Sequence, residues 1–322
     1  MKKISIFIFL WFSFGVISAQ VTEKEADLKK FTGDTLTGWK TGGMFSINFG
    51  QSALSEQWAA GGENSISLNA ITGLFANYKK ANSSWDNTLD LGYGLLKQGK
   101  KSKAMKTDDK IDFSSKYGQK ATKTLYYAAL LNFKTQFAEG FDYAKDSTHS
   151  ISNFMVPAYL IAALGMDYKP KGNLSVFLAP LTEKLTIVND QNFANNGAYG
   201  VDAAEYDSIT GTITKQGKKL RSEIGGYLKI AYTRDLMKNV NLQTKLDLFS
   251  NYAHNPQNID VNWEMLIAMK INKYINANIS TQVIYDDDTR FPIDKNGDGT
   301  PDLLGPRIQW KEMFSLGISV IF

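Results

Sequence analysis

The stretch from Ser65 to Tyr78, SISLNAITGLFANY, alternates apolar and polar side chains with a period of two. Ile66, Leu68, Ala70, Leu74, Ala76 and Tyr78 share one face, and Ser67, Asn69, Gly73 and Asn77 share the other. A helix face repeats every 3.6 residues, so this spacing fits a strand with two unlike sides. WDNTLDLGYGLL repeats the pattern: Trp85, Leu89, Leu91, Tyr93 and Leu95 lie against Asp86, Thr88, Asp90, Gly92 and Gly94. The same reading down the chain predicts twelve strands, near 43–50, 65–78, 85–97, 109–118, 124–137, 151–168, 174–188, 218–234, 241–252, 261–271, 275–286 and 309–322.

The links between these strands alternate in length. KKANSS, QKATK, KPKGN, LMKNV and NKY follow the even-numbered strands. Most links after odd-numbered strands are long, and the longest is NDQNFANNGAYGVDAAEYDSITGTITKQG. Short turns on one side and long loops on the other is the plan of an outer-membrane barrel. An even strand count then places both termini on the short-turn, periplasmic side.

A soluble sandwich shows the same alternation, with its apolar face buried instead of turned to lipid. Three features favour the membrane. Tyr78, Trp85, Tyr117, Tyr168, Tyr232, Tyr252, Trp263, Tyr285 and Trp310 fall near strand ends, where an aromatic girdle sits. Most strands are long enough to cross a bilayer at a tilt. The last strand puts Trp310, Phe314, Leu316, Ile318, Val320 and Phe322 on one parity, with Lys311, Ser315, Gly317 and Ser319 on the other. A closing strand that ends in Phe resembles the signal read by the barrel-assembly machinery of bacterial outer membranes.

The N-terminal residues read as an export signal. Lys2 and Lys3 precede an apolar run from Ile4 to Ile17 and a small-residue exit at Ser18-Ala19. Residues 1–19 are therefore expected to be a cleaved signal peptide, residues 20–39 a short periplasmic lead, and residues 40–322 the barrel. With 36 basic and 32 acidic side chains, the chain carries no basic footprint for nucleic acid. It has no cysteine, which excludes a disulfide framework and a thiolate metal site.

Four longer stretches, KTDDKIDFSSKYG from Lys106, SNFMVPAYL from Ser152, LSVFLAPLTEKLTIV from Leu174 and GAYGV from Gly197, carry a family resemblance. Together they resemble a family of Bacteroidetes outer-membrane proteins known only as a domain of unknown function. The resemblance implies a transmembrane barrel in a Gram-negative outer membrane. It implies no activity and no catalytic residues.

One motif suggests a cation. In DKNGDGTPD, Asp294, Asn296 and Asp298 hold the first, third and fifth positions of a calcium loop, ahead of Gly299. Thr300 offers a carbonyl and Asp302 a further carboxylate. Gly305 stands where an EF-hand needs a bidentate Glu, and prolines interrupt both flanks, so the pattern is nearer to thrombospondin-type loops. Asp286, Asp287 and Asp288 are candidates for the missing ligands. The alternative is an exposed Gly/Asp turn. A Ca2+ site so built would be weak, on the order of 10⁻⁴–10⁻³ M.

The polar parity carries mixed charge: Asp86, Asp90, Lys110, Asp112, Lys116, Lys134, Lys219, Arg221, Glu223, Lys229, Lys245, Asp247, Glu264 and Lys270. These residues form either a selective constriction or a salt-bridged lattice that fills a slim lumen. The segment 52–65, SALSEQWAAGGENS, is expected to be either an inward lid or ordinary surface. His149 and His254 lie in predicted loops without a nucleophile arranged beside them, so no enzyme is expected.

The sequence therefore predicts an all-β, twelve-stranded transmembrane antiparallel barrel in the outer membrane, with lipid as its surroundings. Two roles follow: a narrow channel or transporter for small solutes, or a non-conducting barrel docking partners in a larger envelope complex.

Overall fold

Strands with one apolar and one polar face cannot remain an open sheet in lipid, because every edge N–H and C=O would lack a partner. The computed structural model describes residues 37–55, 63–99, 103–143, 146–170, 173–272, 274–293, 295 and 302–322. Twelve strands close into one antiparallel barrel. They are β1 (Gly38–Ser52), β2 (Ser65–Lys80), β3 (Ser83–Gln98), β4 (Met105–Lys120), β5 (Leu125–Thr135) and β6 (Ala158–Tyr168). Next come β7 (Leu174–Ile187), β8 (Leu220–Met237), β9 (Val240–Asn251), β10 (Ile259–Lys270), β11 (Ile275–Tyr285) and β12 (Gln309–Ile321). Each strand pairs with its neighbour in sequence, and β1 pairs with β12, with Asn48 opposite Gly317. Backbone bonds between Gly43 and Phe322, at 2.9 and 3.0 Å, complete the seam.

The apolar faces point outward. On β12, Trp310, Phe314, Leu316, Ile318 and Val320 are all exposed, as are Phe322 just past it and Phe45, Ile47 and Phe49 on β1. A closed ring wrapped in exposed Leu, Ile, Val and Phe is a membrane-spanning barrel. Trp39, Trp85, Tyr117, Tyr127 and Tyr168 form an exposed aromatic belt at the short-turn end. Trp39 packs 5.3 Å from Tyr78 and 5.7 Å from Trp85. Tyr252 and Trp310 are exposed at the long-loop end.

Three departures from the sequence expectation shape the barrel most. The first strand begins at Gly38, inside the expected lead, because the Trp39 ring joins the aromatic belt. The sixth begins at Ala158 instead of residue 151, because Ile151 and Ser152 belong to a loop hairpin (Gly140–Asp142 with Asp146–Ser152). Asn153 and Val156 then bridge in a tight turn ahead of Pro157, which has no N–H for the ladder.

The third difference lies inside β7. Ser175, Phe177 and Ala179 are buried in the lumen, and so are Thr182, Lys184 and Thr186, so the inward parity switches between them. Gly225 and Tyr227 of β8 stand opposite Thr182 and Ala179, and Leu164 and Met166 of β6 stand opposite Leu181 and Leu178. Between these pairs one residue on each neighbour, Gly226 or Gly165, faces two on β7, which is a bulge around Pro180. A proline is tolerated in a strand interior at such a bulge. Gly165 permits the close approach: a Cβ there would collide with the Leu178 carbonyl.

The long connection 188–219 is folded. Asp190 caps a short helix, α1 (Gln191–Asn195), by accepting from the N–H groups of Asn192 (2.8 Å) and Phe193 (3.2 Å). Val188, Ala194 and Val201 bury against Val156 in a small core beneath Phe193 and Tyr199. Residues 1–36, with the expected signal peptide and most of the lead, lie outside the described residues, as do residues 56–62 of the 52–65 segment.

Candidate functional site

The lumen gathers the polar parity of all twelve strands. Its charges meet in pairs, and several pairs span the ring. Lys110 of β4 lies 2.8 Å from Glu264 of β10, six strands away. Lys245 of β9 reaches Asp90 of β3 at 3.2 Å, also six strands away. Lys134 of β5 sits 3.4 Å from Asp247 of β9 and 3.8 Å from Asp112 of β4. Lys229 and the Tyr227 hydroxyl also engage Asp247, at 3.2 and 2.6 Å. Asn132 donates to Asp112 at 2.7 Å. These contacts form a band of ion pairs from β3–β5 across to β8–β10. The more buried of these charges, Asp112 and Asp247, leave water at a desolvation cost that the opposite charges and added hydrogen bonds offset, whereas Lys245 and Asp90 stay partly exposed.

A second cluster lies toward the short turns. Lys116 contacts Asp167 at 2.5 Å, and Lys169 joins Asp167 (3.3 Å) and Asp86 (3.0 Å). Asp167 is 1 % exposed and accepts from the Ser175 hydroxyl as well. A third cluster lies toward the long loops. Lys184 meets Asp260 at 2.6 Å, with Glu223 and Asp286 within 3.8 Å. Arg221 bridges Glu223 (3.0 Å), Asp288 (2.5 Å) and the Gly200 carbonyl (3.2 Å).

One flank of the band is apolar. Ala128, Leu130, Ala163, Phe177, Ala179, Tyr227 and Phe249 pack together inside β5–β9, with Phe177 and Tyr227 almost fully buried. Above the band, toward the long loops, lies a cavity of about 540 Å³, lined among others by Asp108, Lys134, Tyr159, Tyr199, Glu264 and Lys311. The Tyr199 hydroxyl at its rim donates to the Ile151 carbonyl at 2.6 Å, and burial pushes that phenol up to about 12, so it stays a neutral donor.

Most of the polar-parity residues foreseen from sequence come together here: Asp86, Asp90, Lys110, Asp112, Lys116, Lys134, Arg221, Glu223, Lys229, Lys245, Asp247 and Glu264 all join ion pairs. Lys219 does not; it precedes β8 and is exposed. Sequence reasoning missed Asp108, Asp167, Lys169, Lys184 and Asp260. Asp108 and Asp260 extend strands beyond their expected starts. Lys169 comes from a turn. Lys184 enters the lumen through the β7 parity switch, which Pro180 could have signalled.

Of the expected Ca2+ ligands, Asp302 is described; Asp294, Asn296, Asp298 and Thr300 lie outside the described residues. Asp302 accepts from the Lys295 N–H at 2.7 Å and donates its own N–H to Ile293 at 2.8 Å, just past the hairpin Arg290–Ile293 with Leu303–Pro306. Asp286 and Asp288 turn instead to Lys184 and Arg221, and Asp287 accepts from Asn258 at 2.7 Å. Among the described residues no group of three or more carboxylate or imidazole side chains is arranged for a metal. His149 is exposed and contacts Asp146 at 2.6 Å, and His254 is exposed in the β9–β10 connection.

Residues 49–141 match a family described as "Protein of unknown function (DUF3078)". That segment runs from β1 through β5 into the following loop hairpin, and includes the KTDDKIDFSSKYG stretch whose family resemblance it supports. No curated protein matches the chain. Among solved structures, the chain is similar to the translocator domain of the autotransporter NalP from Neisseria meningitidis, at 12 % identity, covering 93 % of this chain and 92 % of that one, with a TM-score of 0.37. It is similar to an outer membrane channel from Pseudomonas putida F1, at 9 % identity, covering 90 % and 97 %, with a TM-score of 0.38. It is also similar to the outer membrane channel DcaP of Acinetobacter baumannii, at 9 % identity, covering 88 % and 96 %, with a TM-score of 0.30.

Proposed function

We propose that this outer-membrane barrel passes small solutes slowly through a narrow lumen, with the long loops facing the cell exterior. The cavity of about 540 Å³ on the long-loop side of the ion-pair band is the observation that carries the reading. It is large enough to receive a small molecule, and ion pairs from opposite walls narrow the lumen beneath it. Passage is then restricted to what moves around the band. Osmotic swelling of liposomes containing the purified full chain tests this. Faster entry of small solutes than into protein-free liposomes supports it, and no entry of any solute contradicts it.

A second reading is a non-conducting barrel that docks envelope partners. The exposed apolar side chains of the long loops favour it: Ile209 is 95 % exposed, Ile308 70 % and Leu304 61 %. Absent swelling together with a stoichiometric co-purifying protein is its signature.

The Asp294–Asp302 segment is proposed as a weak Ca2+ brace on the outer rim, supported by the Asp-x-Asn-x-Asp-Gly spacing and by the pairing of the flanking strands Arg290–Ile293 and Leu303–Pro306. Calorimetric titration of the wild type against the Asp294→Ala/Asp298→Ala variant tests it; equal heats in both would remove the site.

A further inference from the structure

The ion-pair band divides the lumen unequally. It ties β3–β5 to β8–β10, and the apolar cluster fills the flank inside β5–β9. The other flank is the inner wall of β11, β12, β1 and β2, and its chemistry differs from the rest of the lumen.

Strand register places a continuous row along that wall. Asn276 stands opposite Gly317, Gly317 opposite Asn48, Asn48 opposite Asn69, Asn69 opposite Gly94, and Gly94 opposite Asp108. Asn278, Ser315, Ser46 and Ser319 flank it on the same inner parity. Asn276 is the second residue of β11, just past a short turn; Asp108 lies near the start of β4, at the long-loop end. Strand tilt therefore makes the row climb the lumen from the short-turn mouth to the outer cavity, where Asp108 pairs with Lys311. From Asn276 to Gly94 it carries amides and glycines and no charge.

Asn48 is 3 % exposed and Asn276 9 %, yet Asn48 Nδ2 and Asn276 Oδ1 have no hydrogen-bond partner, and neither does Asn69 Oδ1. Buried polar atoms are rarely left so, because each forfeits its hydrogen bond to water. One donor and two acceptors thus stand unmatched along a single diagonal. The glycines keep the row low: a Cβ at Gly317 would collide with Asn48 Oδ1, and a Cβ at Gly94 would lie 2.7 Å from Thr107 Oγ1.

We propose that this wall is the route past the ion-pair band, and that it selects small neutral solutes able both to donate and to accept hydrogen bonds, such as glycerol or urea. Rotation of the Asn side chains, whose unmatched atoms are buried at rest, would present those atoms to a neutral solute in exchange for its water. A free ion finds no unpaired counter-charge along the row, and would pay desolvation without return. The inference rests on the solute-passing reading above and names its substrate class.

The test is stopped-flow light scattering on liposomes holding the full chain, with glycerol, urea, glycine and potassium chloride as solutes. Heat-modifiable gel migration confirms the closed barrel in every preparation. After subtraction of the rates into protein-free liposomes, glycerol and urea are expected to enter faster than the similarly sized zwitterion glycine and faster than the salt. Asn48→Leu and Asn276→Leu are expected to slow glycerol entry by about tenfold, the scale of one hydrogen bond lost from a barrier. Glycine or salt entering as fast as glycerol in the wild type overturns the proposal without needing a variant. Unchanged glycerol entry in both folded variants overturns it too, while leaving the solute-passing function intact. No entry of any solute through folded wild type overturns both.

Discussion

The hydroxyl of Tyr252 donates to the carbonyl of Pro180 at 3.0 Å, reaching across β8 from the end of β9 to the bulge in β7. The ring passes over Gly226, where an added Cβ would lie 2.8 Å from the hydroxyl oxygen. The bulge removes Pro180 from the ladder, and its carbonyl faces the barrel exterior, where lipid gives no hydrogen bond. Tyr252→Phe is expected to destabilise the barrel by about 1 kcal/mol, the typical net value of one hydrogen bond. Urea unfolding in lipid vesicles measures it.

Gly165 supports the same bulge from the other side. Gly165→Val is expected to cost more than Tyr252→Phe, because its Cβ would meet backbone, which cannot rotate away. Gly211→Ala serves as the comparison, since nothing stands within 4 Å of the Cβ position there. The strain at Gly211 is conformational (its φ is +68°), and the residue sits in an exposed loop, so that variant is expected to insert normally. Gel migration after refolding into vesicles reads both.

The pattern in the sequence located the twelve strands because each had a lipid face and a lumen face, and a period of two reports that difference directly. It also placed Trp310, Phe314, Leu316, Ile318 and Val320 on the outer side of β12, with Phe322 just past it, where they are exposed. Parity fails where an element breaks it. Lys184 was unreadable without the bulge at Pro180, and Lys169 reaches Asp86 from a turn that no strand period describes. Which cation pairs with which carboxylate was also hidden. Lys110 and Glu264 are 154 positions apart and meet only when the ring closes.

The tip of the hairpin Glu205–Tyr206 with Ile213–Lys215 is ordered by Asp207. Its carboxylate accepts from the N–H groups of Ile209 (2.9 Å) and Thr210 (2.7 Å) and from the Thr210 hydroxyl (3.0 Å). Backbone donors hold its pKa below the ordinary carboxylate value. A depressed pKa contributes stability above the unfolded value, about 4, and that contribution is lost as pH falls through the folded value. Amide exchange at Thr210 is therefore expected to be protected at neutral pH and to lose protection at lower pH, after correction for intrinsic rates. Protection that rises on acidification would contradict the assignment.

The aromatic belt fixes depth. Trp39 and Trp85 sit at the short-turn end and Trp310 near the long-loop end, all exposed on the outer face. In variants retaining one of these tryptophans, lipids brominated high on the acyl chain are expected to quench fluorescence more than lipids brominated at the chain end. The reverse order would place the belts in the membrane interior.

On the proposed function, Lys110 and Glu264, with Lys245 and Asp90, close the lumen to ions from opposite walls. Single-channel recording in planar bilayers measures this most directly. The wild type is predicted to show no resolved ionic steps, and Lys110→Ala/Glu264→Ala, which removes both partners together, is predicted to open them. Large steps from the wild type, unchanged in the double variant, would contradict it.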